Sequence, residues 1–153
     1  MRIAISSDER AGVAQSLAAA LERRGHEVLT HGALGEGAAG TQAQQWAWAS
    51  ESAARDVAEG RAERGVVCCW TGTGASISAN KVSGIRAALC QDAATAAGAR
   101  RWNDANVLAI SLRSTSEAEL EEILDAFLDT PASAESEDRA NLAHLEEMER
   151  ESR

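Results

Sequence analysis

The run Val66-Val67-Cys68-Cys69-Trp70-Thr71-Gly72-Thr73-Gly74-Ala75-Ser76-Ile77-Ser78-Ala79-Asn80-Lys81 places a thiol where two kinds of local structure meet. A short apolar, β-branched stretch leads up to Cys69, and a glycine-punctuated turn into small residues of helical character follows it. The amino end of a helix offers backbone N–H groups and partial positive charge, both suited to an anion or a developing oxyanion. Gly72 and Gly74 allow the backbone a close approach to a ligand, or a positive φ. A thiol beside such a helix end is a credible proton-transferring base. The same pattern also describes a tight β–α turn around a structural cysteine, and the turn by itself leaves both readings open.

The elements that must position this turn alternate along the chain. Strands are expected over residues 2–6, 26–31, 65–69, 85–90 and 107–111. Helices are expected over 12–24, 45–60, 75–80, 93–102 and 116–128, the last capped by Ser114 or Thr115, with residues 32–44 as a loop. Strands alternating with helices argue for an α/β fold with a parallel sheet. The architecture expected is a Rossmann-like three-layer αβα sandwich with a five-stranded parallel sheet and a C-terminal helix. Residues 1–130 make the domain; 131–153 make a linker and an acidic helix over 141–150, packed on the same domain or on a partner subunit. In such folds ligands bind outside the carboxyl ends of the strands. Asp8, His31, Cys69 and Gln91 lie at or just past those ends and so surround one crevice.

Composition narrows the function classes. A net charge of -9 argues against nucleic acid and anionic membrane surfaces as partners. Any phosphate must therefore be held by local positive features. Three cysteines, two of them adjacent, fit no disulfide framework and are expected as reduced thiols. The first residues read as a strand rather than a signal peptide, and no apolar run nears the roughly 20 residues of a membrane span. A cytoplasmic protein is expected. Cys68 should face the opposite side of the strand from Cys69 and belong to the core. Cys90 is expected in the core too, and Trp46 and Trp48 in the core or an interface rather than as sugar platforms.

The segment Cys69 to Cys90 closely resembles the signature of the ribose-5-phosphate isomerase B family, which includes the galactose-6-phosphate isomerase subunits LacA and LacB. The resemblance extends to Asn103-Asp104-Ala105-Asn106-Val107-Leu108 and more loosely to Ile3-Ala4-Ile5-Ser6-Ser7-Asp8, covering residues 1 to about 130. It implies reversible, metal-independent and cofactor-free aldose–ketose isomerisation of a small sugar phosphate through an enediolate. By that resemblance Cys69 transfers the proton, Thr71 stands beside it, and Asp8 is the acidic residue after the first strand. The backbone of Gly72, Thr73, Gly74, Ala75 and Ser76 matches the loop that holds the enediolate oxygen. Asn103 and Arg113 match residues that relatives use on the substrate. The resemblance also implies a homodimer or homotetramer with sites built from both subunits.

Departures from the family pattern bear on the substrate. Glu9 stands where a histidine usually follows the aspartate, Trp70 replaces a glycine, and Trp102 replaces the histidine that assists ring opening. The chain has no tyrosine, so the usual tyrosine-proline pair is missing. The C-terminal arginine pair that grips phosphate is not recognisable. An indole donates a hydrogen bond but cannot shuttle protons as an imidazole does. Glu9, Trp70 and Trp102 are thus expected to shape a pocket for a short, open-chain, non-phosphorylated or modified sugar. A catalytically degenerate binding or partner subunit is the rival reading.

Overall fold

A computed structural model describes residues 1–37 and 39–151. Ala38, inside the expected 32–44 loop, and Ser152 and Arg153, at the end of the C-terminal segment, lie outside the described residues. The strands are β1 (Arg2–Ser7), β2 (Glu27–Gly32), β3 (Arg64–Cys69), β4 (Ala87–Leu89) and β5 (Val107–Ser111). They form one all-parallel sheet in the order β2-β1-β3-β5-β4. The helices are α1 (Leu17–Arg23), α2 (Trp46–Ala58), α3 (Thr73–Ala79), α4 (Ala93–Asn103), α5 (Glu117–Asp129) and α6 (Ser136–Glu151). Two short 3₁₀ turns, Gly12–Gln15 and Gln42–Gln44, precede α1 and α2.

Side chains alternate across the strands, so each strand feeds two cores. Ile3, Ile5, Val66, Cys68, Leu108 and Ile110 face α1, α4 and α5, where Leu17, Leu21, Ile123 and Phe127 fill the space. Ala4, Val67, Cys69, Val107 and Ala109 face α2 and α3. There the helices contribute Ala53, Ala54, Ala75 and Ala79. Such small side chains let α2 and α3 lie close on the sheet, whereas the other face is thick with branched and aromatic groups. The layers are those of the expected αβα sandwich.

Several boundaries differ from the sequence expectation for identifiable reasons. The first helix breaks into a 3₁₀ turn and α1, with Gly12 at φ +51. β4 is three residues long rather than six, because its approach is tied into other bonds. Arg86 N–H donates to Asn106 Oδ1 at 2.8 Å, and Ile85 N–H closes a turn on Val82 O. At this sheet edge the Asn80 amide donates to Ala87 O and accepts from Ala87 N–H, both at 2.8 Å. It thus occupies the position a further strand would take. α6 starts five residues earlier than expected (Ser136 rather than Asn141), and Glu149 Oε1 accepts from Gly84 N–H at 2.7 Å.

The cap of α5 is Ser116, not Ser114 or Thr115. Ser116 Oγ accepts from Glu119 N–H at 3.2 Å while Glu119 Oε2 accepts from Ser116 N–H at 2.7 Å. This reciprocal pair satisfies two otherwise orphaned donors. Ser116→Ala should cost about 1 kcal/mol in chemical denaturation, with an unchanged denaturant slope.

Candidate active site

β3 ends at Cys69 and the chain turns at once into α3. The turn is pinned by the continuation of β5. Leu112 N–H donates to Cys69 O at 3.0 Å, Arg113 N–H to Trp70 O at 2.9 Å, and Ser111 Oγ to Trp70 O at 3.0 Å. Gly72 takes φ +76, and its N–H donates to Cys69 O. A Cβ there would lie 2.5 Å from Leu89 Cδ1 and 2.9 Å from the Ile110 carbonyl carbon. Both the conformation and the space therefore require glycine. The turn aims the first coil of α3 back at the strand, where Ala75 N–H donates to Cys69 Sγ at 3.4 Å. Thr71 Oγ1 and Thr73 Oγ1 share a hydrogen bond at 2.7 Å on the exposed side.

Cys69 is 5% exposed, on the face shared with α2 and α3. Cys68 points into the other core, and burial pushes its thiol far above the ordinary range. Burial pushes the Cys90 thiol up to about 11. Both are therefore neutral thiols with structural surroundings. No disulfide joins the three cysteines.

Asp8 follows Ser7, the residue in register with Cys68, and so stands level with Cys69 across the β1–β3 pair. Its Oδ1 is buried without a hydrogen-bond partner. Desolvation raises its pKa above the usual carboxylate value, aided by the Glu9 charge and opposed by the backbone N–H groups of Asp8 and Glu9. Asp8 and Glu9 line a pocket of about 410 Å³ with Thr41, Gln44, Gln45 and Trp46. Cys69 is not among the residues lining it. The Trp46 ring lies over Gly74: a Cβ on that glycine would come within 3.0 Å of the indole. Trp46 is therefore not in the core, one of the two settings expected for it, but a half-exposed wall of this pocket. Gln45 and Trp46 start α2 at the same sheet edge as Cys69. That signal was present in the alternation of elements.

The remaining candidates divide between the two ends of the sheet. Trp70 and Arg113 lie at the Cys69 end, and Trp70 is exposed. Trp102 and Asn103 do not join them within one chain. α4 runs back from the carboxyl end of β4 to the amino end of β5, so its last residues reach the opposite edge. There Asn103 O accepts from Arg86 Nε at 3.1 Å, and the Trp102 ring folds over Gly98. His31 Nε2 pairs with Asp56 Oδ2 at 2.6 Å, and Arg61 Nε meets the other carboxylate oxygen at 2.6 Å. His31 thereby fastens β2 to α2. Among the described residues no group of three or more His, Cys, Asp or Glu side chains is placed to hold a metal ion, and no helix is long and apolar enough to cross a membrane.

Residues 3–145 match the family described as Ribose/Galactose Isomerase. The chain belongs to this family. Among members of the Ribose/Galactose Isomerase family, it is 42% identical over 98 residues to galactose-6-phosphate isomerase subunit LacB of Clostridium acetobutylicum, covering 64% of this chain and 57% of that protein. To D-erythrulose-4-phosphate isomerase of Pectobacterium atrosepticum it is 43% identical over 76 residues, half of each chain. The chain thus spans little more than half the length of these relatives. To ribose-5-phosphate isomerase B of Escherichia coli it is 35% identical over 112 residues, covering 73% of this chain and 72% of that one. The solved ribose-5-phosphate isomerase B of Clostridium thermocellum superposes with a TM-score of 0.86 at 32% identity, with both chains covered completely.

Two outcomes follow from this geometry. Gly72→Ala should destabilise by roughly 1–3 kcal/mol, through backbone strain and the Leu89 contact, and lower the thermal midpoint. Because the folded-state pKa of Asp8 is raised, its contribution to stability is fully present below the unfolded value and is lost as pH rises through the folded value. Asp8→Asn should therefore be at least as stable as the parent at neutral pH. Its advantage should vanish as pH falls below about 4, in thermal melts across that range.

Proposed function

We propose that the chain is a metal-independent aldose–ketose isomerase of a small sugar phosphate, with Cys69 as the proton-transferring base. One observation carries this reading: the Cys69 sulfur faces the first turn of α3 and accepts a main-chain N–H from it. The sulfur removes the proton from the carbon beside the carbonyl, the electron pair moves into the new carbon–carbon double bond, and the carbonyl oxygen becomes an enediolate oxygen. The N–H groups of Thr73 and Gly74, in a turn held rigid by β5, stabilise that oxygen without reorganising, those of Gly72, Ala75 and Ser76 being bonded to Cys69 O, Cys69 Sγ and Gly72 O. Return of the proton to the neighbouring carbon, together with passage of the hydroxyl proton from one substrate oxygen to the other, completes the exchange. Asp8, with its raised pKa, is suited to hold a proton near the substrate oxygens as an acid. Thr71 and Arg113 orient the substrate beside the turn.

A second copy completes the arrangement. In this reading Trp102 and Asn103, which lie at the far edge of their own sheet, come to Cys69 from the partner subunit of a homodimer or homotetramer. The names of the relatives support sugar phosphates of four to six carbons as the substrate class. The absence of a membrane-crossing helix among the described residues is compatible with the cytoplasm. A partner-dependent or degenerate subunit is the second reading, favoured by the near-complete burial of Cys69 and by the similarity to a protein named as a subunit.

Assay of four-, five- and six-carbon aldoses, with and without phosphate, decides between them. Cys69→Ala should reduce kcat by about 10²–10⁴-fold on the accepted sugar. Undiminished turnover in that variant would remove the sulfur from the mechanism. Ligand-induced thermal stabilisation without any turnover would instead identify a binding subunit.

A further inference from the structure

The pocket beside the Cys69 turn carries an unusual chemical balance for a protein of this kind. Asp8 and Glu9 contribute two carboxyl groups, Gln44 and Gln45 amides, Thr41 a hydroxyl, and Trp46 an indole. Among the described residues lining it there is no basic side chain. Arg10, next in sequence, is turned away: its Nε donates to Ala33 O at 2.6 Å and its Nη2 to Leu34 O at 3.4 Å. Gln44 braces the pocket, its side chain donating to Asp8 O at 3.2 Å and accepting from Gly40 N–H at 2.9 Å.

We propose that this pocket selects an uncharged, hydroxyl-bearing segment of the substrate and excludes its phosphate, with Trp46 and Glu9 as the specificity-determining residues. Carboxyl oxygens and amides satisfy hydroxyl groups in both directions of hydrogen bonding. An indole face accepts the apolar C–H side of a polyol chain. Trp46 is held in place for this, since its ring rests on the bare backbone of Gly74. The same lining disfavours a phosphate dianion, which would meet the Glu9 carboxylate and no basic side chain. The buried, unpartnered Asp8 Oδ1 is a further polar atom that a hydroxyl donor would satisfy. A phosphate on the same molecule lies outside the pocket, toward the exposed Arg113 beyond β5. The assignment rests on the isomerase reading only for naming a sugar as the ligand.

The test uses the full chain labelled with a nitrogen isotope, titrated separately with the neutral polyols erythritol and ribitol and with inorganic phosphate. The Trp46 indole N–H resonance is identified by its loss in Trp46→Ala. Polyol should shift this resonance and phosphate should not. Read on the backbone amide resonances of Thr41 and Gln44, Trp46→Ala should weaken polyol binding by up to about tenfold, while Trp46→Phe, which keeps an aromatic face, should largely retain it. Glu9→Lys should make the same resonance respond to phosphate. The proposal is overturned if phosphate shifts the Trp46 signal in the parent protein or displaces polyol from it, or if polyol leaves the signal unmoved. Turnover separates this from the isomerase reading. A chain that isomerises sugars yet binds phosphate at Trp46 loses only the pocket assignment; one that binds polyol there and turns over nothing loses only the isomerase reading.

Discussion

The arrangement at the carboxyl edge of the sheet depends on main-chain hydrogen bonds between the end of β5 and the turn that leaves β3. The carbonyls of Cys69 and Trp70 are both held by N–H groups of Leu112 and Arg113, so the turn is an extension of the sheet rather than a free loop. Without that anchoring, the positive φ of Gly72 would be one of many conformations open to a glycine-rich segment. With it, α3 begins in a fixed direction and its first amides meet the sulfur. A strand that contributes no acid or base therefore determines where the Cys69 sulfur stands relative to α3.

Much of this was legible in the sequence. Alternating apolar runs and helical stripes defined the parallel sheet, but the one crevice expected around Asp8, His31, Cys69 and Gln91 does not form: His31 is held by Asp56, and the pocket at Asp8 is lined by neither Cys69 nor Gln91. The thiol-turn-helix segment was readable because its requirements are local: an apolar strand, glycine where φ is positive, and small residues where α3 meets the sheet. The length of β4 was not, because at its amino end the side chains of Asn106 and Asn80 take the backbone N–H groups of Arg86 and Ala87. The cap of α5 was misplaced among three adjacent hydroxyl residues, and only the reciprocal bond to Glu119 singles out Ser116. Trp46 was read by residue type, as a large apolar side chain. Its actual setting depends on Gly74, nearly thirty residues away, having no side chain.

Trp102 and Asn103 illustrate a different limit. Sequence similarity places residues in a functional group without saying which copy of the chain supplies them. The direction of α4 shows only that one chain does not bring Trp102 and Asn103 to Cys69, because the helix returns to the amino edge of the sheet. Meanwhile the alanine-rich face keeps α2 and α3 close to the sheet, bringing Trp46 from one helix against Gly74 in the other. Small side chains in the core and a large one at the rim thus work together to shape the site.

The side chain of Asn80 closes one flank of the sheet by imitating the peptide group of an absent neighbour. A flank closed in this way offers no main-chain template at Ala87 for an incoming strand, from its own kind or from an unfolding chain. Contacts made on that side must then be written in side chains, whose identity is specific, and not in backbone, which is common to every polypeptide. One amide thus guards against indiscriminate lateral growth while leaving selective pairing open.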